Sequence, residues 1–529
     1  MISRVKVFLL IIVLLSAILR FYKLDTIPPS LNWDEAGSAY NAYTIANWGR
    51  DEWGKFLPLI FTSFRDDKHP VHIYLTSVVV KLLGLSDFTA RLSGAIIGVL
   101  SVIVIFYLAR LIFKNDLVAL FSALFLAVSP YNLHFSRGLW EANFALFFFL
   151  LGLLMFYLSL QKKSWLINIS FFSFGLSLLS YHSAKIIVPS IVLMLIIFYF
   201  KILRRLSLNF YTGIFIFVLF IVLLLIDPRL IGLERAKQTQ FGQDKIKKTL
   251  IYQKTKNLNL GLLEVILNGY ISHFTPKYLF FTGDQNPRNS VKTQGEFYKT
   301  DALFILIGLF YLLRLKSRVI LILLGWILLS PLPSSLVEGA PNAVRAIFMM
   351  GGLHLLAALG VGKTISWFRG KVKLFVLMTI LFLLSMQVYS YLYYYFNIYP
   401  KKDAIEWQYG MKQIVEYVKD NEYSAVYVTD IRSQPYIFFL YYLKMPLPEY
   451  LGTVIYTKDV EHRKYNLVFS FDKYYFGGWD PIESLPTPGV LYVLSPSQYD
   501  GLRYRSDFNI KQVIHYPNGG DAFFLVSAK

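Results

Sequence analysis

The chain has 529 residues, of which 55% are hydrophobic, 17% aromatic and only 16% charged, with a formal net charge of +20. Soluble domains carry roughly 25% charged residues, so much of this surface meets something other than water. There is no cysteine, which excludes disulfides, thiolate catalysis, iron–sulfur clusters and cysteine zinc sites.

In chain order, Arg4 and Lys6 precede an apolar run that ends at Arg20-Phe-Tyr-Lys without a small-residue cleavage site, which reads as an uncleaved signal anchor. Runs long enough to cross a bilayer as helices lie at 5–22, 88–112, 116–131, 142–160, 165–182, 184–200, 208–226, 343–361 and 372–392. Two shorter runs, 300–313 and 319–333, flank Arg314-Leu-Lys316-Ser-Arg318 and read as a helical pair, which makes eleven. Residues 70–84 form a shorter apolar run that opens at a proline and holds His72 and Lys81. Counting that run as a span would flip every later loop.

The placement of cations decides the matter. With 70–84 left out, the short loops on the cytoplasmic side carry Arg110 and Lys114, Lys162 and Lys163, Lys201 with Arg204 and Arg205, Arg314 with Lys316 and Arg318, and Lys363 with Arg369, Lys371 and Lys373. All match the basic N-terminus. Residues 70–84 are therefore expected to be an interfacial helix on the outer leaflet. The same pattern argues against nucleic acid as a partner, because the cations orient the chain in lipid instead. The topology expected is N-in and C-out, with large outer regions at 23–87, 227–299 and 393–529.

From about residue 400 the pattern changes. Asp403 to Lys419 reads as an amphipathic helix, and 424–430, 465–471, 489–496 and 521–527 read as buried strands, with a helix at 435–444. The fold class expected is thus an α-helical polytopic membrane protein over 1–392, with an extracytoplasmic α/β domain over 393–529. GVGKT at 360–364 imitates a phosphate loop, but Ala357 stands where the first glycine belongs and the stretch ends a span.

The first outer loop is the richest in chemistry. Asp34 and Glu35 follow a tryptophan just outside a span, placed for a general base or a ligand, or else for ordinary interfacial solvation. Lys68-His69-Pro70 sets a cation where head groups lie, as a lipid-phosphate contact or a snorkelling lysine. Arg137 and Glu141 share an outer turn and could pair with each other. His182 sits in the tight turn Tyr181–Lys185. Arg345 enters a late span from outside and needs an anion, either Glu338 or a phosphate. The loop 280–298 is dense in hydrogen-bonding groups, with Asp284 and Arg288 suited to a sugar or phosphate. Four histidines (His69, His72, His134 and His182) can reach the outer face beside Asp34 and Glu141, so a divalent metal ion stays open as a cofactor, though no tight ligand motif fixes one.

The order WDEA, KHPVHIYL, TARLSGAIIGVL and SPYNLHFSRGLWEANF, followed by an arginine in a late span, resembles the GT-C glycosyltransferases that use polyprenyl-phosphate sugars, especially the protein mannosyltransferase and lipid A aminoarabinose transferase families. The likeness covers about residues 1–360 and is most specific over the first 145. Family members often have Asp where Glu141 stands and Lys-Pro-Pro in place of Lys68-His69-Pro70. The resemblance implies sugar transfer from a polyprenyl-phosphate donor to an acceptor hydroxyl on a lipid, glycan or protein, with inversion, at the extracytoplasmic side of the cell membrane. It implies Asp34 as the base with Glu35 in support. Lys68, Arg137 and Arg345 would hold the leaving phosphate, and Glu141, His182 and His69 would position sugar or acceptor. A flippase or transporter for lipid-linked sugars, or a ligase or polymerase of lipid-linked saccharides, is the alternative.

Overall fold

The computed structural model describes residues 4–64, 67–161, 163–206, 208–232, 239–315, 317–432, 434–457, 467–477 and 486–529. Lys162 and Lys316 of the basic loops, and Tyr465-Asn466 at the start of the second expected strand, lie outside the described residues.

The chain divides into two compact units. The first is Met1–Tyr22 with Gly94–Tyr393, and the second is Lys23–Ser93 with Tyr394–Lys529. The segment 23–87, expected to belong with the membrane domain, therefore folds together with the C-terminal residues. The physical reason is burial. The helix Trp33–Trp48 lies against the helix Pro435–Tyr442, whose residues Pro435 to Tyr441 are all buried.

The first unit is helical, and each apolar run contains a helix. Among the described residues, six helices are long and apolar enough to cross a membrane, or seven if Asp116–Val128 and Pro130–Ser136, bent by 55° at Ser129, count as one span. The expected run 165–182 is helical only over Leu166–Leu178. The expected span 343–361 is a regular helix only from Met349, and the residues before it form turns, with the Ala346 N–H bonded to the Asn342 carbonyl. The helices Lys299–Arg314 and Met349–Ser366 approach through glycines: a Cβ on Gly308 would collide with the Leu356 carbonyl, and one on Gly360 with the Phe304 carbonyl. Small residues let helix backbones meet closely in a membrane. This accounts for the first glycine of GVGKT, Gly360.

In the second unit, Pro70–Leu83 is a helix as expected, with Pro70 at its first position. The expected helix Asp403–Lys419 is broken. A short 3₁₀ turn, Ala404–Trp407, is followed by left-handed backbone at Gln408 and Gly410, and the regular helix is Met411–Lys419.

Among the described residues the sheet has seven strands: β1 (Ala425–Val428), β2 (Ile455–Tyr456), β3 (Val468–Phe471), β4 (Tyr474–Phe476), β5 (Val490–Leu494), β6 (Phe508–His515) and β7 (Asp521–Ala528). Their order is β2-β3-β4-β1-β5-β7-β6, with β1 parallel to β4 and β5 and the outer pairs antiparallel. All five β5 residues are buried, which is why that stretch reads as one apolar run. β2, β4 and β6 were not expected. The first two are two and three residues long, and β6 is an edge strand with most of its residues exposed.

Candidate active site

Asn32 caps the helix Trp33–Trp48. Its side-chain oxygen accepts from the backbone N–H of Asp34 at 2.8 Å and of Glu35 at 3.1 Å, and Glu35 Oε2 accepts from Asn32 N at 3.1 Å. This reciprocal capping box fixes the entry of the helix and places both carboxylates at its positive end.

The two acids then diverge. Glu35 is 1% exposed and gripped by Arg91, whose Nε meets Oε1 at 3.0 Å and whose Nη2 meets Oε2 at 3.1 Å. Arg91 sends its remaining donors to the carbonyls of Leu24, Pro28 and Ser30, so all five guanidinium N–H groups are used. Glu35 is thereby locked. Asp34 stays partly exposed, and its Oδ1 lies 2.7 Å from Lys68 Nζ. Lys68 is held by a two-way backbone bridge to Phe61, with N–O distances of 2.8 and 3.0 Å. His69 is fully buried at the start of Pro70–Leu83, and His72 Nε2 lies 3.0 Å from Ser38 Oγ, tying that helix to Trp33–Trp48.

Two further acids of the second unit, Asp51 and Glu52, are buried. Glu52 is fully buried beside Asp51, and burial first, then Asp51, pushes its carboxyl up to about 8, with the Asn41 and Trp53 side chains pulling the other way. Asp51 caps its own turn, accepting from the N–H groups of Trp53 and Lys55. Nothing in the local pattern marked Glu52, because its burial comes from the packing of Trp33–Trp48 and the C-terminal aromatics around it.

In the first unit, Arg137 is buried and donates to the carbonyls of Leu19 at 2.7 Å and Arg20 at 3.0 Å, at the C-terminal end of the helix Arg4–Phe21. His182 Nδ1 lies 3.0 Å from Lys185 Nζ, which also bonds to the Leu230 carbonyl. Glu141 is close enough to act on Lys185 electrostatically. So Glu141 and His182 gather around a lysine that sequence reasoning passed over, although Lys185 closes the very turn it singled out.

Arg345 lies in the turn before Met349–Ser366, and its Nη1 donates to the Glu338 carbonyl at 2.6 Å; the Glu338 carboxylate instead faces Lys245 at 3.7 Å. The polar loop 280–298 turns much of its chemistry inward. Asp284 accepts from Asn286 N at 2.8 Å, Asn289 Nδ2 at 2.9 Å and Ala343 N at 2.7 Å, while its own N–H bonds to Glu296. Burial raises the carboxyls of both Asp284 and Glu296. Tyr131 bonds to the Ala343 carbonyl at 2.5 Å, so the backbone two residues before Arg345 is clamped from both sides. Among the described residues, no group of three histidines or acids converges as a metal site.

The structure thus brings Asp34, Glu35, Lys68 and His69 together in the second unit, and Glu141 with His182 in the first. Arg137 and Arg345 are each anchored within the first unit.

A family model described as dolichyl-phosphate-mannose-protein mannosyltransferase matches residues 67–228. No curated protein sequence matches. Among solved structures, ArnT from Cupriavidus metallidurans bound to undecaprenyl phosphate is similar at a TM-score of 0.58 and 14% identity, over 98% of this chain and 97% of that one. The Archaeoglobus fulgidus oligosaccharyltransferase tethered to an acceptor peptide is similar at a TM-score of 0.52 and 14% identity, over 98% of this chain and 74% of that one.

Proposed function

From the GT-C glycosyltransferase fold that this chain carries, we propose that it moves a sugar from a polyprenyl-phosphate donor to an acceptor hydroxyl at the extracytoplasmic membrane face. The observation that carries the proposal is the Asp34–Lys68 contact of 2.7 Å at a capped helix start, beside a Glu35 that cannot move. A base and a cation for the leaving group stand side by side.

The chemistry follows from that pairing. Asp34 takes the proton of the acceptor hydroxyl as its oxygen attacks the anomeric carbon. The bond from that carbon to the phosphate oxygen breaks on the opposite side, inverting the centre, and the electron pair leaves on polyprenyl phosphate. Lys68 neutralises that phosphate. His69, next to Lys68, is assigned to sugar or acceptor.

Before the donor arrives, Lys68 is Asp34's own partner, and a nearby cation makes a carboxylate a weaker base. A phosphate that draws Lys68 away leaves Asp34 more basic. Donor binding and base activation are thereby coupled.

The test is transfer from a labelled polyprenyl-phosphate sugar in membranes. Asp34→Asn is expected to lose about 10²–10⁴-fold in rate, the usual contribution of a general base. Full transfer by a well-folded Asp34→Asn chain would remove Asp34 from the base role.

A further inference from the structure

The helix ends of the first unit that carry basic turns frame two cavities. A groove of about 760 Å³ lies between the end of Asp87–Phe113 and the end of Glu141–Gln161, and a smaller cavity of about 240 Å³ is lined by Asn115, Ser317 and Lys363. The turns near 114, 161, 317 and 363 therefore share one end of the unit. In sequence those turns and their flanks carry Arg110, Lys114, Lys163, Arg314, Arg318 and Lys363 against the single acid Asp116.

The larger groove has two chemistries. Leu111, Leu154 and Leu158 form an apolar wall along the helices, and Arg110 and Lys114 stand at its mouth. Arg110 is matched by Asp116 at 2.6 Å. Lys114 has no acidic partner among the described residues, so the mouth keeps a net positive charge. Water satisfies a lysine but not a leucine wall. An ion satisfies the lysine alone, and a neutral lipid the wall alone. The ligand that satisfies both has a phosphate head and an acyl chain.

We propose that this groove seats an anionic phospholipid of the leaflet that borders the basic turns, its phosphate at Lys114 and Arg110 and its chain along Leu111, Leu154 and Leu158. Basic pockets between membrane helices hold anionic head groups in this way. The seat is separate from the residues assigned to sugar transfer, and the inference does not depend on that assignment.

The test uses the full chain in neutral detergent, titrated with phosphatidylglycerol or phosphatidylcholine of identical chains and read by native mass spectrometry. The expected result is a preference for phosphatidylglycerol of about tenfold, the effect of one to two cations near a lipid phosphate. Lys114→Gln is expected to bring that preference close to one, Lys114→Arg to keep it, and Leu158→Trp to lower binding of both lipids by filling the wall. Lys114 is exposed, so its substitution leaves the fold alone. Equal binding of the two lipids by the native chain would overturn the proposal. So would wild-type behaviour of both Lys114→Gln and Leu158→Trp. Displacement of the lipid by equimolar glycerol 3-phosphate would show a soluble-anion site instead, and would also overturn it.

Discussion

Asp34 and Glu35 are neighbours in sequence, and the fold gives them different partners, Lys68 for Asp34 and Arg91 for Glu35. Arg91 is the reason. A buried arginine at the end of an apolar helix needs acceptors for every N–H, and Glu35 with three carbonyls supplies them. Arg91→Lys keeps the charge but loses the fork that grips both oxygens. It is expected to lower stability by about 1.5–3 kcal/mol, the range for hydrogen bonds to charged groups, read as a lower thermal midpoint in detergent. The demand for an anion that drew attention to Arg345 applied equally to Arg91, so this residue was legible in principle.

Glu52 was not, and it makes a pH prediction. Its carboxyl titrates near 8 when folded and near 4.5 when unfolded, so between those values the unfolded chain holds fewer protons. Stability from this group therefore falls as pH rises from about 4.5 to 8, by at most about 1.4 kcal/mol per pH unit, and is level above. Glu52→Gln keeps the neutral shape. Thermal midpoints of the two chains should draw apart with pH, the variant gaining on the native chain up to pH 8. Parallel midpoints across that range would show that Glu52 is ionised in the fold.

At the scale of elements, the bend between Asp116–Val128 and Pro130–Ser136 leaves helix-end carbonyls without partners. Arg20 supplies them, bonding to Leu126 and Ala127 as well as to Asn132. A basic residue at the end of the first apolar run thus has a structural employment inside the bundle. The glycine contact between Lys299–Arg314 and Met349–Ser366 is the other element-scale constraint. Gly360→Leu is expected to force those helices apart and cost several kcal/mol, since overpacking alone costs about 1–3; loss of folded chain in size-exclusion chromatography reads it. Rejecting GVGKT as a phosphate loop rested on spacing. Only the packing shows what its glycine does.

At the scale of the molecule, the second unit is discontinuous in sequence. Pro435–Tyr442 is buried throughout most of its length, Tyr40 bonds to the Met445 carbonyl at 2.9 Å, and Lys412 pairs with Asp87 at 2.9 Å. Residues 394–529 expressed alone would expose that helix to water. They are expected to aggregate, whereas a soluble, cooperatively unfolding 394–529 fragment would show that 23–93 is dispensable to the sheet domain.

Hydropathy and charge along the chain determined by themselves that apolar helices dominate, that a sheet-bearing domain follows near residue 400, and that the acidic pair and Lys68 belong to one chemically rich segment. These properties are local, since a helix or a central strand needs only its own run of side chains to declare itself. The tertiary structure alone decided that Asp34 meets Lys68 while Glu35 meets Arg91, that Glu52 is buried, and that the loop after Asp284 bonds largely to itself. Each of these depends on which distant residue removes water from a charged group. An ion pair across thirty-four residues leaves no periodicity to read, and short or edge strands such as β2, β4 and β6 leave too little.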